Sequence, residues 1–181
     1  MTLTRAALGL SALMTLAAPA WAIDVAPGDY AIAPAGTNIG LLYWQHQSAG
    51  SFEINGAEVP ASRAAVDVGV LRGLHYTEAF GMPALLQAVL PVVSFDTARL
   101  GGVDQPTAQG LGDLTLGFSV WPVQPDNPET GTTLGLTAFL TAPTGSCAFG
   151  EVSAGGGGWV LTPQVGLIQG LGGGLYLGAV L

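Results

Sequence analysis

From Gly112 to Val120 the chain alternates without a fault. Leu114, Leu116, Phe118 and Val120 fall on one side, and Asp113, Thr115, Gly117 and Ser119 on the other. A period of two defines a β-strand with one apolar and one polar face. Two architectures share that pattern. A soluble sandwich turns its apolar face inward, and a membrane barrel turns it outward into lipid. Nothing within the strand chooses between them, so the choice falls to the rest of the chain.

The pattern recurs. Segments 38–47, 64–77, 85–95, 112–121, 132–141 and 159–168 read as strands, and a seventh begins at Leu175. In the fifth, Leu134, Leu136, Ala138 and Leu140 oppose Thr133, Gly135, Thr137 and Thr141, with Phe139 as the exception. In the sixth, Trp159, Leu161, Val165 and Leu167 oppose Thr162, Gln164 and Gly166. Strands of about 9–11 residues, tilted, cross a bilayer, whereas soluble strands average about 5–6. The connections around 48–62, 97–111 and 142–158 are long. Those at 81–83 and 170–174 are short, and 122–131 is intermediate. Short turns on one side and long loops on the other are the mark of an outer-membrane barrel. Aromatic residues fall near strand ends. Tyr43, Trp44, Phe95 and Trp159 are expected toward the outer interface, and Tyr76, Phe80, Trp121 and Tyr176 toward the inner one.

The N-terminus places the mature chain outside the cytoplasm. Arg5 precedes an apolar run from Ala6 to Pro19, and the run closes on Ala20-Trp-Ala22. One positive charge, a short apolar core and a small-x-small end make a secretory signal, so residues 1–22 read as a signal helix cleaved after Ala22 and 23–181 as one domain. No Cys stands at the cleavage site, so no lipid anchor is expected. The later apolar stretch from Met82 to Phe95 is broken by Pro83, Gln87 and Pro91 and is too short to span as a helix. Charged residues make up only 9% of the chain, against a usual share of about 25%, while hydrophobic residues make up 49%. A soluble surface needs more charge than this. Lys is absent, and losing Arg5 takes the net charge from −8 to −9. Nucleic-acid binding rests on Lys and Arg, so this balance argues against it. A lone Cys147 in a Gly-rich loop excludes a disulfide framework and a Cys-based metal cluster.

Two positions strain the barrel reading. Arg72 shares parity with Val66, Val68 and Val70, and an Arg on the lipid face at mid-bilayer costs about 2–4 kcal/mol. A β-bulge near Gly69 that turns Arg72 inward is the expected relief. Pro91 sits mid-strand and cannot donate to a ladder, so a local bulge is expected there too. The polar inner lining then comprises Asp67, Gln87, Asp113, Thr115, Ser119, Thr133, Thr137, Thr162 and Gln164, joined by Arg72 and His75 if the bulge is real. Such a lining is short on charge and suits weakly polar solutes.

Catalytic signals are absent. His46 and His75 have no close metal-ligand spacing, and no Ser stands in a nucleophile-elbow motif. Gly155-Gly-Gly-Gly158 lacks the Lys-Ser/Thr of a phosphate loop and precedes a strand rather than a helix. A non-enzyme is expected, with no cofactor and no metal.

Three stretches carry a family resemblance: Gly110-Leu-Gly-Asp-Leu-Thr-Leu-Gly117, Leu136-Thr-Ala-Phe-Leu-Thr-Ala-Pro-Thr-Gly145 and Leu161-Thr-Pro-Gln-Val-Gly166. With Val89-Leu-Pro-Val-Val93 they resemble the outer-membrane transporters named for the meta-cleavage pathway of phenol degradation. The similarity runs from about residue 40 to the end. It implies an all-β antiparallel transmembrane β-barrel, uptake of aromatic or other hydrophobic compounds, and no catalytic residues. The chain departs from the pattern at Cys147-Ala-Phe149, where the family carries Tyr-Asp. It also stops at Leu181 inside the seventh strand, where family members continue. A barrel truncated to about seven strands, an open curved sheet, is therefore expected. The expected partners are outer-membrane lipid and small hydrophobic or aromatic solutes. A soluble periplasmic or secreted β-sandwich that binds a ligand is the alternative, and an outer-membrane barrel enzyme is the third reading.

Overall fold

A computed structural model describes residues 30–181. The expected signal segment and its helix lie outside the described residues. Among the described residues there is no helix. Seven long strands form the main sheet: β1 Asn38–Ala49, β2 Arg63–Ala79, β3 Met82–Leu100, β4 Leu114–Val123, β5 Thr132–Ala142, β6 Val160–Gly172 and β7 Leu175–Val180. Each pairs antiparallel with its sequence neighbours, in the order β1 to β7. The sheet curls into half a barrel. Two connections are two-residue hairpin turns that demand positive φ at both positions. Phe80 and Gly81 supply φ of 55° and 71°, and Gly173 and Gly174 supply 62° and 78°.

The curl gives the sheet unequal faces. On β4, Thr115, Gly117, Ser119 and Trp121 are buried on the concave side, while Leu116 and Phe118 stand exposed on the convex side. On β5, Gly135, Thr137 and Phe139 go inward, and Leu136 and Leu140 outward. On β6, Gln164 and Gly166 go inward, and Leu161, Val165 and Leu167 outward. A sheet that buries Thr, Ser and Gln and exposes Leu, Val and Phe is inside out by the standard of a soluble domain.

The first hairpin departs from expectation. Val66, Val68, Val70 and Arg72 pair with Phe95, Val93, Pro91 and Val89 of β3. Gln87 pairs with concave Gly117, so all odd positions of this stretch of β3, and with them the valines, face the concave side. The expected bulge at Gly69 is not there. The register between β1 and β2 runs unbroken from Asn38↔His75 to Ala49↔Ala64. The shift lies between Ala65 and Val66, where Asp96 of β3 is left without a partner. Arg72 reaches the inside together with the valines, so no bulge is needed to turn it. Pro91 breaks the other ladder. The β3–β4 pairing runs only from Ala84↔Val120 to Val89↔Thr115, and β3 pairs again at Val92↔Leu111 with the short strand Gly110–Leu111 ahead of β4. Between these, Gly112 donates to the Pro91 carbonyl at 2.8 Å. Proline has no N–H to return that bond.

The core sits at the turn end of the concave face. Tyr30, Tyr76, Leu85 and Trp121 form one buried cluster, with Tyr76 and Trp121 stacked at 6.4 Å between centroids. Tyr76 and Trp121, expected as interfacial aromatics, are instead interior. Residues 30–37 cross the inside of the curl. Trp121 Nε1 donates to the Tyr30 carbonyl at 3.1 Å, and Gly36 and Thr37 pair with the Tyr76 backbone. A Cβ at Gly135 or Gly166 would come within 2.5 Å of the Tyr30 ring, so these two glycines make its notch.

Candidate functional site

The concave face is the candidate site, and it is divided. Its β2–β3 half is lined by Val66, Val68, Val70, Leu74, Val89 and Val93. Its β4–β6 half is lined by Thr115, Ser119, Thr137, Thr141 and Gln164, interrupted by Phe139. The hydroxyls on the second half bind one another. Ser119 and Thr137 are 2.7 Å apart, and Thr115 and Thr141 are 2.8 Å apart. Threonine and serine hydroxyls both donate and accept, so such pairs line a wall with polarity but without charge.

The two halves meet at Arg72 and Gln87. Arg72 donates through Nε at 3.1 Å and through Nη2 at 2.7 Å to Gln87 Oε1. Gln87 is buried, and the bond fixes the guanidinium across the β2–β3 ladder. Among the described residues, two buried polar atoms on this face have no hydrogen-bond partner, Gln164 Oε1 and the Tyr30 hydroxyl. An unpaired buried polar atom costs about 1–3 kcal/mol, so both favour a water or a solute hydroxyl beside them.

Of the eleven residues that the sequence singles out for the lining, Arg72, Gln87, Thr115, Ser119, Thr133, Thr137, Thr162 and Gln164 share the concave face. Asp67 and His75 do not. They alternate against Arg72 on β2 and stand on the convex face. There Asp67 meets His46 at 2.9 Å, and the Asn38 side-chain carbonyl lies 2.8 Å from His75 Nδ1. The reason is the ambiguity of β2. Its two faces, Val66-Val68-Val70-Arg72 and Asp67-Gly69-Leu71-Gly73, each mix apolar and charged residues, so only partner register assigns them.

Asp113 stands apart from both faces. It lies just before β4, and its carboxylate accepts from Gly145 N at 2.8 Å through Oδ1 and from Gly156 N at 2.7 Å through Oδ2. Thr144 Oγ1 accepts from Leu114 N at 2.9 Å beside it. Asp113 therefore latches the long 143–159 loop to the start of β4. A Cβ at Gly145 would fall 2.6 Å from the Gly112 carbonyl carbon, which accounts for glycine there. The sequence signal for the latch lies in the spacing of Gly112-Asp113, Thr144-Gly145 and the later glycines, and parity alone misses it. A second tie joins the same loop to the preceding one, where Val152–Ser153 pairs in parallel with Thr107–Ala108. At the loop end of β3, Arg99 donates to Asp104 at 2.7 and 3.0 Å. That hydrogen-bonded cation, by contact and then by charge, holds the Asp104 carboxyl below the usual carboxylate range.

The family model described as "Putative MetA-pathway of phenol degradation" matches residues 48–181. The fold is similar to the crystal structure of an outer membrane channel from Pseudomonas putida F1, with a TM-score of 0.71 and 29% identity. The likeness covers 87% of this chain and 58% of that one, so the chain spans little more than half the length of the channel it matches. No curated protein matches the chain.

Proposed function

The chain belongs to the family of that phenol-degradation model, and from this membership we propose that it builds the N-terminal part of an outer-membrane β-barrel channel for small hydrophobic or aromatic solutes. The convex Leu, Val and Phe rows are then the lipid face, and the concave face is part of a lumen wall. Solutes pass by diffusion, so the role is that of a channel and not of an enzyme. The chain reaches the outer membrane through the signal segment, with cleavage after Ala22. Arg72, Gln87, Thr115, Thr137 and Gln164 are among the lumen-lining polar residues in this reading.

One observation carries it: the concave face is half valine and half threonine-glutamine. A sugar needs hydroxyl partners on every side. An aromatic ring with one polar edge needs an apolar wall facing a polar one, and this arrangement offers that. Residues 30–37 lie across the turn end of the same face, so a solute has to pass that segment.

The test is solute flux into vesicles that carry the full-length protein. Benzenesulfonate and a hydroxylated aliphatic sulfonate of similar size share a permanent charge and leak little through lipid alone. The expected result is faster entry of the aromatic one. Equal rates would remove the aromatic preference. Rates no higher than in protein-free vesicles would remove the channel reading itself.

A further inference from the structure

The convex face of the first three strands carries a cluster that the channel reading does not use. His46 on β1 pairs in register with Asp67 on β2, and Asp67 pairs with Ser94 on β3. Asp96, the unpartnered residue of the β2–β3 register shift, lies two positions further along β3. Ligand-capable atoms of His46, Asp67 and Asp96 all lie within 4.8 Å of one another. Each residue comes from a different strand.

Charge around the cluster is unbalanced. A protonated His46 neutralises one carboxylate at most and leaves the second uncompensated. The described cations are engaged or turned elsewhere. Arg99 binds Asp104, and Arg72 is on the opposite face with Gln87. Arg63 borders the same 760 Å³ cavity as Asp96 yet makes no ion pair with it. Two carboxylates and an imidazole held together without an Arg partner are a donor set for a cation.

We propose that His46, Asp67 and Asp96 bind one first-row divalent cation, such as Zn2+, on the outer wall at the loop end of β1–β3. Around a tetrahedral ion with bonds of about 2.0–2.2 Å, neighbouring donor atoms stand about 3.3–3.6 Å apart. His46 Nδ1 and Asp67 Oδ1 are hydrogen-bonded at 2.9 Å, and a small opening of this exposed pair admits the ion between them. Asp96 closes the remaining gap by rotating an exposed side chain. Imidazole favours zinc, copper, nickel or iron over calcium and magnesium, which take all-oxygen sets. The remaining positions are open to water, because His46 is exposed and Asp96 faces the cavity. A bound ion would clamp three strands at a point where one ladder is irregular.

The experiment titrates the full chain, folded in detergent micelles, with Zn2+ and follows metal per chain after desalting. One Zn2+ per chain is expected. His46→Ala and Asp96→Asn should each weaken binding by about tenfold or more, and Asp104→Asn should leave it unchanged. Heat-dependent gel mobility checks that each variant folds. Co2+ should give an absorption band in the wild type that His46→Ala abolishes. Unsaturable binding, binding that His46→Ala leaves intact, or displacement of Zn2+ by equal Ca2+ would each overturn the site. None of these readouts depends on whether the protein conducts solutes.

Discussion

The hairpins β2–β3 and β5–β6 obey the same alternation and reach opposite outcomes. On β5 and β6 the apolar row goes out and the Thr-Gln row goes in. On β2 the valines go in, and Asp67 and His75 go out. The convex groups of β2 are placed so that this is tolerable. Asp67 and His75 stand eight residues apart, about 26 Å along a strand at roughly 3.3 Å per residue. Leu71 lies between them, with Leu42 and Trp44 beside it on β1. At a strand tilt of about 35–45° that is roughly 19–22 Å of height, so the two polar pairs fall near the rims of an apolar band of about 25 Å. The second hairpin shows what alternation alone can say. The first shows that a two-faced ribbon with mixed faces is read only through its neighbours.

The largest test of this contrast sets an inward glycine against an outward one. Gly166→Val drives a side chain into the Tyr30 ring, whereas a Cβ at Gly73 meets nothing within 4 Å. The first substitution should cost about 1–3 kcal/mol by overpacking and expose residues 30–37 to protease. Gly73→Val should leave the unfolding midpoint in detergent close to wild type. Equal effects would mean that the faces are misassigned.

Next in size is Arg72→Leu, which strips Gln87 Oε1 of its two donors on the concave side. A loss of about 1–3 kcal/mol in the denaturant midpoint is expected. His75→Leu, on the convex side, should change stability little. Spin labels sharpen the same point: a label at Leu71→Cys should collide with oxygen dissolved in lipid, and one at Val70→Cys should not. The reverse pattern would restore the valines to the lipid face.

Asp113→Asn weakens a charge-assisted clamp on the 143–159 loop. About 1 kcal/mol is expected, read as faster proteolysis within that loop while the strands stay protected. The smallest effect concerns the exposed Arg99–Asp104 pair. The folded Asp104 pKa is lowered, so its contribution is complete above the ordinary carboxylate pKa of about 3.9. It is lost as pH falls through the lower folded value. Amide exchange at the loop end of β3 should quicken only in that acid window, and only slightly, because exposed pairs contribute little.

Strands β4, β5 and β6 are legible in the sequence, with faces and approximate ends, because apolar and small or polar residues alternate there with Phe139 as the main exception. The concave polar residues of these strands, Thr115, Ser119, Thr137 and Gln164, follow from the same parity. Three things were not legible. The valines beside Arg72 suggest a lipid-facing row, which makes an inward Arg72 invisible to parity alone. Asp113 carried the right parity but stands before β4 begins, where it serves the backbone of a distant loop. His46, Asp67 and Asp96 are far apart in sequence and meet only through two ladders and one unpaired residue.

By itself the sequence determined that this chain forms long, two-faced antiparallel strands joined by alternately tight and long connections. Period, turn glycines and the shortage of charge are local properties, and they survive without knowledge of neighbours. The tertiary structure decided which face of β2 meets which solvent, what fills the space inside the curl, and which distant carboxylates meet. Those depend on register, and register is set between strands: slipping by one residue exchanges every side chain on a strand, and only the partner's side chains say which choice is stable.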